Sequence, residues 1–159
     1  MQFATSSAEA SGGAAPRQRV AALLARALLA ELRAVWDLLD EKPSWQALRG
    51  PETGLVMVRG RIGGGGAPFN LGEATVSRAT IRLENGLVGH AHALGTDREK
   101  ARLAAIFDAL WQDPQSRDMV EEKLLLPVSA RLADEAAKKT EEAAATKVDF
   151  FTMVRGEDA

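Results

Sequence analysis

"EATVSRATIRLENGLVGHAHAL", residues 73–94, alternates apolar and polar side chains on either side of Asn85-Gly86. A period of two belongs to a strand with one buried face. Asn-Gly between two such runs is the strongest short hairpin signal, because both residues tolerate positive φ. The stretch therefore reads as strands 73–84 and 87–94 joined by a tight turn. A two-residue turn pairs Glu84 with Leu87, sets Ile81 opposite His90 and Ala79 opposite His92, and turns both histidines toward the helices. A third run, "TGLVMVRGRI" (53–62), keeps the same period. On this register one face carries Val56, Val58, Ile62, Ala79, Ile81, Leu83, Val88 and Leu94. The other mixes Leu55, Met57 and Val76 with Arg59, Arg61, Arg78 and Arg82. Arginine among apolar neighbours is favoured at protein–protein contacts, and no other segment is an obvious cover for that face.

Working outward, apolar residues recur at helical spacing from Val20 through Leu23, Leu24, Ala27, Leu28, Leu32, Val35, Trp36 and Leu39. Pro16 suits the first turn of that helix and Pro43 interrupts it. Ser44 is expected to cap a short helical turn through Leu48, ended by Gly50-Pro51. "TDREKARLAAIFDALWQ" (96–112) reads as a helix with Thr96 and Glu99 as a capping box. Its inner stripe is Leu103, Ile106, Phe107 and Leu110. Pro114 ends it and starts a short helix, 115–125, and Pro127 starts an alanine- and charge-rich helix to about Ala145. The fold class expected is α+β: a small antiparallel three-stranded sheet packed on helices, with a C-terminal apolar arm. Residues 1–15 read as a disordered lead-in. Residues 16–159 read as a single domain whose arm spans 147–159, "KVDFFTMVRGEDA".

Composition removes several classes of function. The 20 Lys+Arg nearly balance the 22 Asp+Glu, which argues against non-specific binding to nucleic acid or a polybasic grip on membranes. With no cysteine, the chain has no thiolate nucleophile, no cysteine-ligated zinc and no cluster of its own. The best apolar run, "VAALLARALLAEL", contains Arg26 and Glu31 and is too polar to span a bilayer. The start of the chain lacks the basic and apolar regions of a secretory signal, so a cytoplasmic protein is expected.

"GRIGGGGAPFN" (60–70) raises the question of a phosphate cradle. No Gly-Lys-Ser/Thr follows at the P-loop spacing, and G-x-G-x-x-G fails at Pro68 or Phe69. Both motifs also deliver phosphate to a helix N-terminus, whereas here a strand follows. The loop reads first as a hairpin connection. A sharper alternative makes Arg59, Arg61, Gly63, Gly64 and Arg78 a contact for an anion or a partner, with Arg61 and Arg78 on one face near that end of the hairpin. His90 and His92 have ligand spacing but no third ligand, so no metal site is assigned. Ser77, His90 and Asp97 assemble into a triad only on paper, with no nucleophile elbow. No catalytic residue is assigned in this chain.

"TGLVMVRGRIGG", "GEATVSRATIRL" followed by "NG", and "VDFFTMVRG" occur in an order and at spacings that closely resemble the PhnG family of the bacterial carbon–phosphorus lyase system. The similarity runs from about Arg19 to the C-terminus. The "GGGG" loop is richer in glycine than the family's usual "GGTG"-like form, and the His90/His92 pair is not part of its pattern. The resemblance implies a cytoplasmic accessory subunit of a core that also contains H, I and J proteins. It contacts the I protein most directly, works with ATP-binding-cassette-like L and K proteins, and leaves room for a homodimer within the complex. It implies a reaction in which phosphonate attacks ribose C1′ of MgATP and adenine leaves, giving ribose 1-phosphonate 5-triphosphate. S-adenosylmethionine and an iron–sulfur cluster then belong to the J partner, and this chain holds no cofactor. Val148, Asp149, Phe150, Phe151, Met153 and Arg155 are expected to form a partner-docking arm. The rival from the residues alone is an independent phosphate- or nucleotide-binding enzyme using the glycine loop with Arg61 and Arg78.

Overall fold

The computed structural model describes residues 10–145. Helix α1 (Ala10–Arg26) and helix α2 (Leu29–Asp37) precede strands β1 (Trp45–Arg61), β2 (Pro68–Leu83) and β3 (Val88–Leu94). Helix α3 (Arg98–Gln112) follows, then α4 (Arg117–Val120), a π-helical turn over Glu121–Leu125, and α5 (Leu126–Ala145). The strands form one antiparallel sheet in the order β1-β2-β3, the α+β arrangement expected. The chain falls into two compact units, Met1–Ser129 and Ala130–Ala159. The described part of the second is the remainder of α5, with an Arg131–Glu135 pair at 2.8 Å along one face. Among the described residues no helix is long and apolar enough to cross a membrane.

The core of the first unit forms where α3 crosses the helix-facing side of the sheet. Leu103, Ile106 and Phe107 are fully buried, as are Ile81 and Leu83 of β2, Leu24 of α1 and Leu32 of α2. Each such side chain stabilises the fold by roughly 1.5–3 kcal/mol before ordering costs. The expected stripe from Val20 is thus buried, but the chain breaks at Ala27-Leu28 instead of running as one helix. The Leu28 N–H is taken by the Glu31 carboxylate (2.7 Å), and the Leu28 side chain is exposed. Helix α3 is capped by Asp97, which accepts from Lys100 N–H (2.9 Å), and not by Thr96. Glu99 instead pairs with Arg33 of α2. The π-helical turn sits just before Pro127, which lacks an N–H and crowds the preceding turn, so the wider turn relieves both problems.

Three expectations are corrected here. Residues 10–15 are helical, so α1 begins inside the stretch read as lead-in. Trp45–Leu48 is the start of β1 and not a helical turn. Gly50-Pro51 sits at register shifts between Ala47 and Glu52, on an edge strand, where proline is tolerated. The hairpin at Asn85-Gly86 has a three-residue loop: Leu83 N–H bonds Leu87 O (2.8 Å), Gly86 N–H bonds Leu83 O (2.9 Å), and Gly86 takes φ 88°. That shifts the register by one residue from the expected one. Thr80 now faces His90 and Arg78 faces His92, so both histidines turn away from the helices. Ser77, Ala79, Ile81 and Leu83 face the helices, opposite Ala93, Ala91, Gly89 and the turn.

Small residues on β3 let α3 approach closely. A Cβ on Gly89 would overlap the Ala105 carbonyl and lie 2.8 Å from Ala109 N. Asp108 on that helix face is only 1% exposed, and its Oδ2 accepts from His90 N–H (2.8 Å) and Arg17 Nη2 (2.7 Å). Arg17 Nη2 (3.2 Å) and Gln112 Nε2 (2.8 Å) both donate to Val88 O. Gly89→Ala should therefore cost about 1–3 kcal/mol through backbone displacement. Asp108→Ala should cost a similar amount, about 1–3 kcal/mol, by leaving the His90 N–H without an acceptor and the Arg17 guanidinium without its carboxylate. Urea unfolding of each variant checks both values. Losses below the noise would mean that the contact between β3 and α3 does not govern stability.

Candidate functional site

Past the Val76–Leu94 pair, β3 ends while β1 and β2 continue, paired from Leu55↔Thr75 to Arg61↔Pro68. The result is a two-stranded ribbon roughly 20 Å long at ~3.3 Å per residue. It bears large apolar side chains that nothing covers among the described residues: Leu55 (63% exposed), Val56 (42%), Met57 (50%), Val58 (41%), Phe69 (41%) and Leu71 (63%). Leu55 and Met57 lie on the side of Thr53 and Ser77, while Val56 and Val58 lie on the side of Val76 and Arg78. The expected grouping of faces is therefore reversed for β1. A Cβ on Gly60 would meet Leu71 and Phe69, so these share a side with Val56 and Val58, whereas Leu55 and Met57 share theirs with Arg59, Arg61, Glu73 and Thr75.

At the tip, Gly63 (φ 61°) and Gly64 (φ 76°) take two successive left-handed positions that only glycine adopts easily. Gly66 N–H bonds Ile62 O (3.1 Å), and Arg61 Nη1 donates to Gly66 O (3.3 Å). Strand β2 follows directly, so the loop has no helix N-terminus at which to hold a phosphate. Arg59 and Arg61 make no ion pair among the described residues.

Arg78 belongs to another place. Its partner across the sheet is Glu52, and from 52 to 61 along β1 is roughly 30 Å. Glu52 Oε1 accepts from Arg49 Nε and Arg78 Nε, both at 2.7 Å. Hydrogen bonds from Arg49 first and Arg78 second hold the Glu52 carboxyl below its ordinary range. Beside this group, Thr80 Oγ1 lies 3.1 Å from His90 Nδ1. An open groove of about 470 Å³ runs between Arg49, Val56, Arg78, Thr80, His90 and His92. Among the described residues no three histidine or carboxylate side chains come together around a metal. Ser77 is buried on the other side of the sheet, bonded to Thr53 (3.0 Å) and Gly95 O (2.9 Å), and Asp97 caps α3. The paper triad is not assembled.

The structure thus gathers Arg59, Arg61, Gly63 and Gly64 at the ribbon tip and separates them from Arg78. An enzyme that holds phosphate between Arg61 and Arg78 has no geometric basis. The residues that sequence reasoning missed are Glu52, which ties up Arg78, and the Asp108–Arg17 pair behind the sheet. The expected arm of Val148, Asp149, Phe150, Phe151, Met153 and Arg155 lies outside the described residues.

A ribbon whose large apolar side chains stand uncovered among the described residues is the kind of surface found where one molecule meets another. Comparison with known proteins agrees. The family model for phosphonate metabolism protein PhnG matches residues 15–156, and the chain belongs to that family. It is 64% identical over 146 residues to a protein of Rhizobium meliloti (strain 1021), covering 92% of this chain and 93% of that one. That protein is the alpha-D-ribose 1-methylphosphonate 5-triphosphate synthase subunit PhnG.

Because the ribbon tip and the Glu52 group are far apart, Arg61→Ala and Arg78→Ala should act independently. Their effects on stability should add within about 0.5 kcal/mol, as expected for separated sites. A double-mutant cycle by chemical denaturation checks this. A larger coupling would mean that the two arginines share a partner.

Proposed function

We propose that this chain is an accessory subunit of the assembly that makes a ribose 1-phosphonate 5-triphosphate during organophosphonate breakdown. In this reading phosphonate displaces adenine from MgATP, the catalytic groups come from partner proteins, and the whole works in the cytoplasm. The partners are the H, I and J proteins of the carbon–phosphorus lyase core, the I protein most directly, with the L and K proteins of the same system. The J partner holds the iron–sulfur cluster and S-adenosylmethionine, for which this cysteine-free chain has no ligands. Arg59, Arg61, Gly63 and Gly64 face the partner side near its phosphate-bearing substrate, and residues 148–155 add a second contact.

Similarity to the rhizobial synthase subunit supports this reading. The observation that carries it is the apolar ribbon between Leu55 and Leu71, uncovered among the described residues, a surface that a monomer rarely leaves in water. The test is reconstitution from co-expressed H, I, J and L proteins, with and without this chain, assayed for adenine released from MgATP in the presence of methylphosphonate. Omitting this chain should lower release at least tenfold and adding it back should restore it. Equal release without it would remove the chain from the reaction.

A further inference from the structure

We infer that the free backbone edge of β1 along residues 52–58 is where a partner subunit adds a strand. The occupant is an extended segment of that partner, with apolar side chains in the row beside Val56 and Val58. This inference rests on the subunit reading above and names the contact it uses.

Two bonds fix where the backbone points. Leu83 N–H bonds Leu87 O (2.8 Å) and Gly95 N–H bonds Thr75 O (2.9 Å), so the odd-numbered residues of β2 turn their backbone groups toward β3. The pairing between those two points has no register shift. Neighbouring residues of a strand turn these groups to opposite edges, so Ala74 and Val76 bond toward β1. Their partners there are Val56 and Gly54, whose groups face β2 in turn. That leaves the N–H and C=O of Leu55 and Met57 facing outward, and nothing among the described residues bonds them.

An unpaired edge is a template for another strand, and proteins usually blunt it. Elsewhere this sheet does so. Helices α1 and α3 take the Val88 carbonyl and the His90 N–H of the short β3. Pro51 and two register shifts interrupt β1 before Glu52. On β2, Pro68 lacks an N–H, Leu71 is an extra residue between the pairs Val58↔Gly72 and Arg59↔Asn70, and Gly95 occupies Thr75 O. From Glu52 to Val58 the register never shifts, and neither proline nor lysine stands there.

The chemistry of the occupant follows from the row it joins. Val56 and Val58 are exposed on the side of Phe69 and Leu71, and apolar cross-strand neighbours would cover them. Gly54 continues that row with open space where a Cβ would stand, which leaves room for a bulky side chain of the occupant. A second copy fits poorly. Twofold pairing of β1 with itself about Met57 sets Leu55 against Arg59, and pairing about Val56 sets Val58 against Gly54. A strand of different sequence is free of that conflict, and it leaves Arg59 and Arg61 at the tip for the phosphate-bearing substrate.

The test uses the chain co-expressed with the H, I and J proteins. Proline is tolerated on an edge strand where its nitrogen faces outward, so Met57→Pro deletes one outward N–H while Met57→Thr keeps it. Met57→Pro should weaken assembly about tenfold or more, as expected when a buried acceptor is left unpaired. Met57→Thr should weaken it about threefold at most. Val56→Thr with Val58→Thr should weaken it about tenfold or more by burying two hydroxyls in an apolar row. Equal effects of proline and threonine at position 57 would mean that no strand is added and would overturn the inference, as would full assembly of the valine pair variant. Loss of self-association with assembly intact would assign the edge to a second copy and overturn it too. Where Met57→Pro alters the circular dichroism spectrum of the isolated chain, residue-resolved amide exchange of the wild type decides. The Leu55 and Met57 amides should exchange fast alone and be protected in the complex; fast exchange in both states would overturn the inference. Wild-type chain that joins no partner would overturn the subunit reading itself.

Discussion

Asp108 reaches from α3 to the outer edge of β3 and accepts both the His90 N–H and the Arg17 guanidinium. An edge strand offers unpaired backbone groups to any passing chain, and proteins manage that exposure with side chains or covering elements. Here two groups at the start of β3 are served: Asp108 takes the His90 N–H, and Arg17 and Gln112 serve the Val88 carbonyl. None of it works unless α3 lies almost against the strand, which Gly89 permits. The same contact buries Leu103, Ile106 and Phe107 over Ile81 and Leu83. One close approach therefore serves two groups of an edge strand and builds the core.

The sheet is lopsided. β3 is short, so the helices cover only the half of β1 and β2 that it supports. The other half runs on as a ribbon with exposed apolar side chains and, toward its tip, two arginines without an ion pair among the described residues. Buried packing is thereby confined to one end of the same two strands. Near the boundary, Arg49 and Arg78 share the single carboxylate of Glu52.

Much of this was legible in the residues. The period of two from 53 to 94, the Asn85-Gly86 turn and the stripe of α3 specify three antiparallel strands and a helix. Turn length was not legible, since Asn-Gly serves both two- and three-residue loops, and the one-residue difference sent both histidines to the wrong face. "GHAHA" held a clue: Gly89, Ala91 and Ala93 are the small residues a closely packed helix demands, and the histidines alternate with them. Gly50-Pro51 read as a helix stop because proline rarely enters strands, yet a bulge on an edge strand admits it. Asp108 looked like any polar helix residue, although it continues the row of Ala101 and Ala105 at helical spacing. Alternation assigns Val56 and Val58 to the helix-packed face, yet beyond the end of β3 they stand exposed and uncovered among the described residues.

The central claim is that one end of the β1–β2 pair is stabilised by this chain and the other by a partner. Amide hydrogen exchange, read segment by segment on the chain alone and in its assembled complex, tests it most directly. Residues 77–83, 88–94 and 101–110 should be protected in both states. Residues 55–61 and 68–74 should exchange quickly alone and become protected on assembly. Equal protection of the ribbon in both states, or a ribbon that stays unprotected in the complex, would contradict the account.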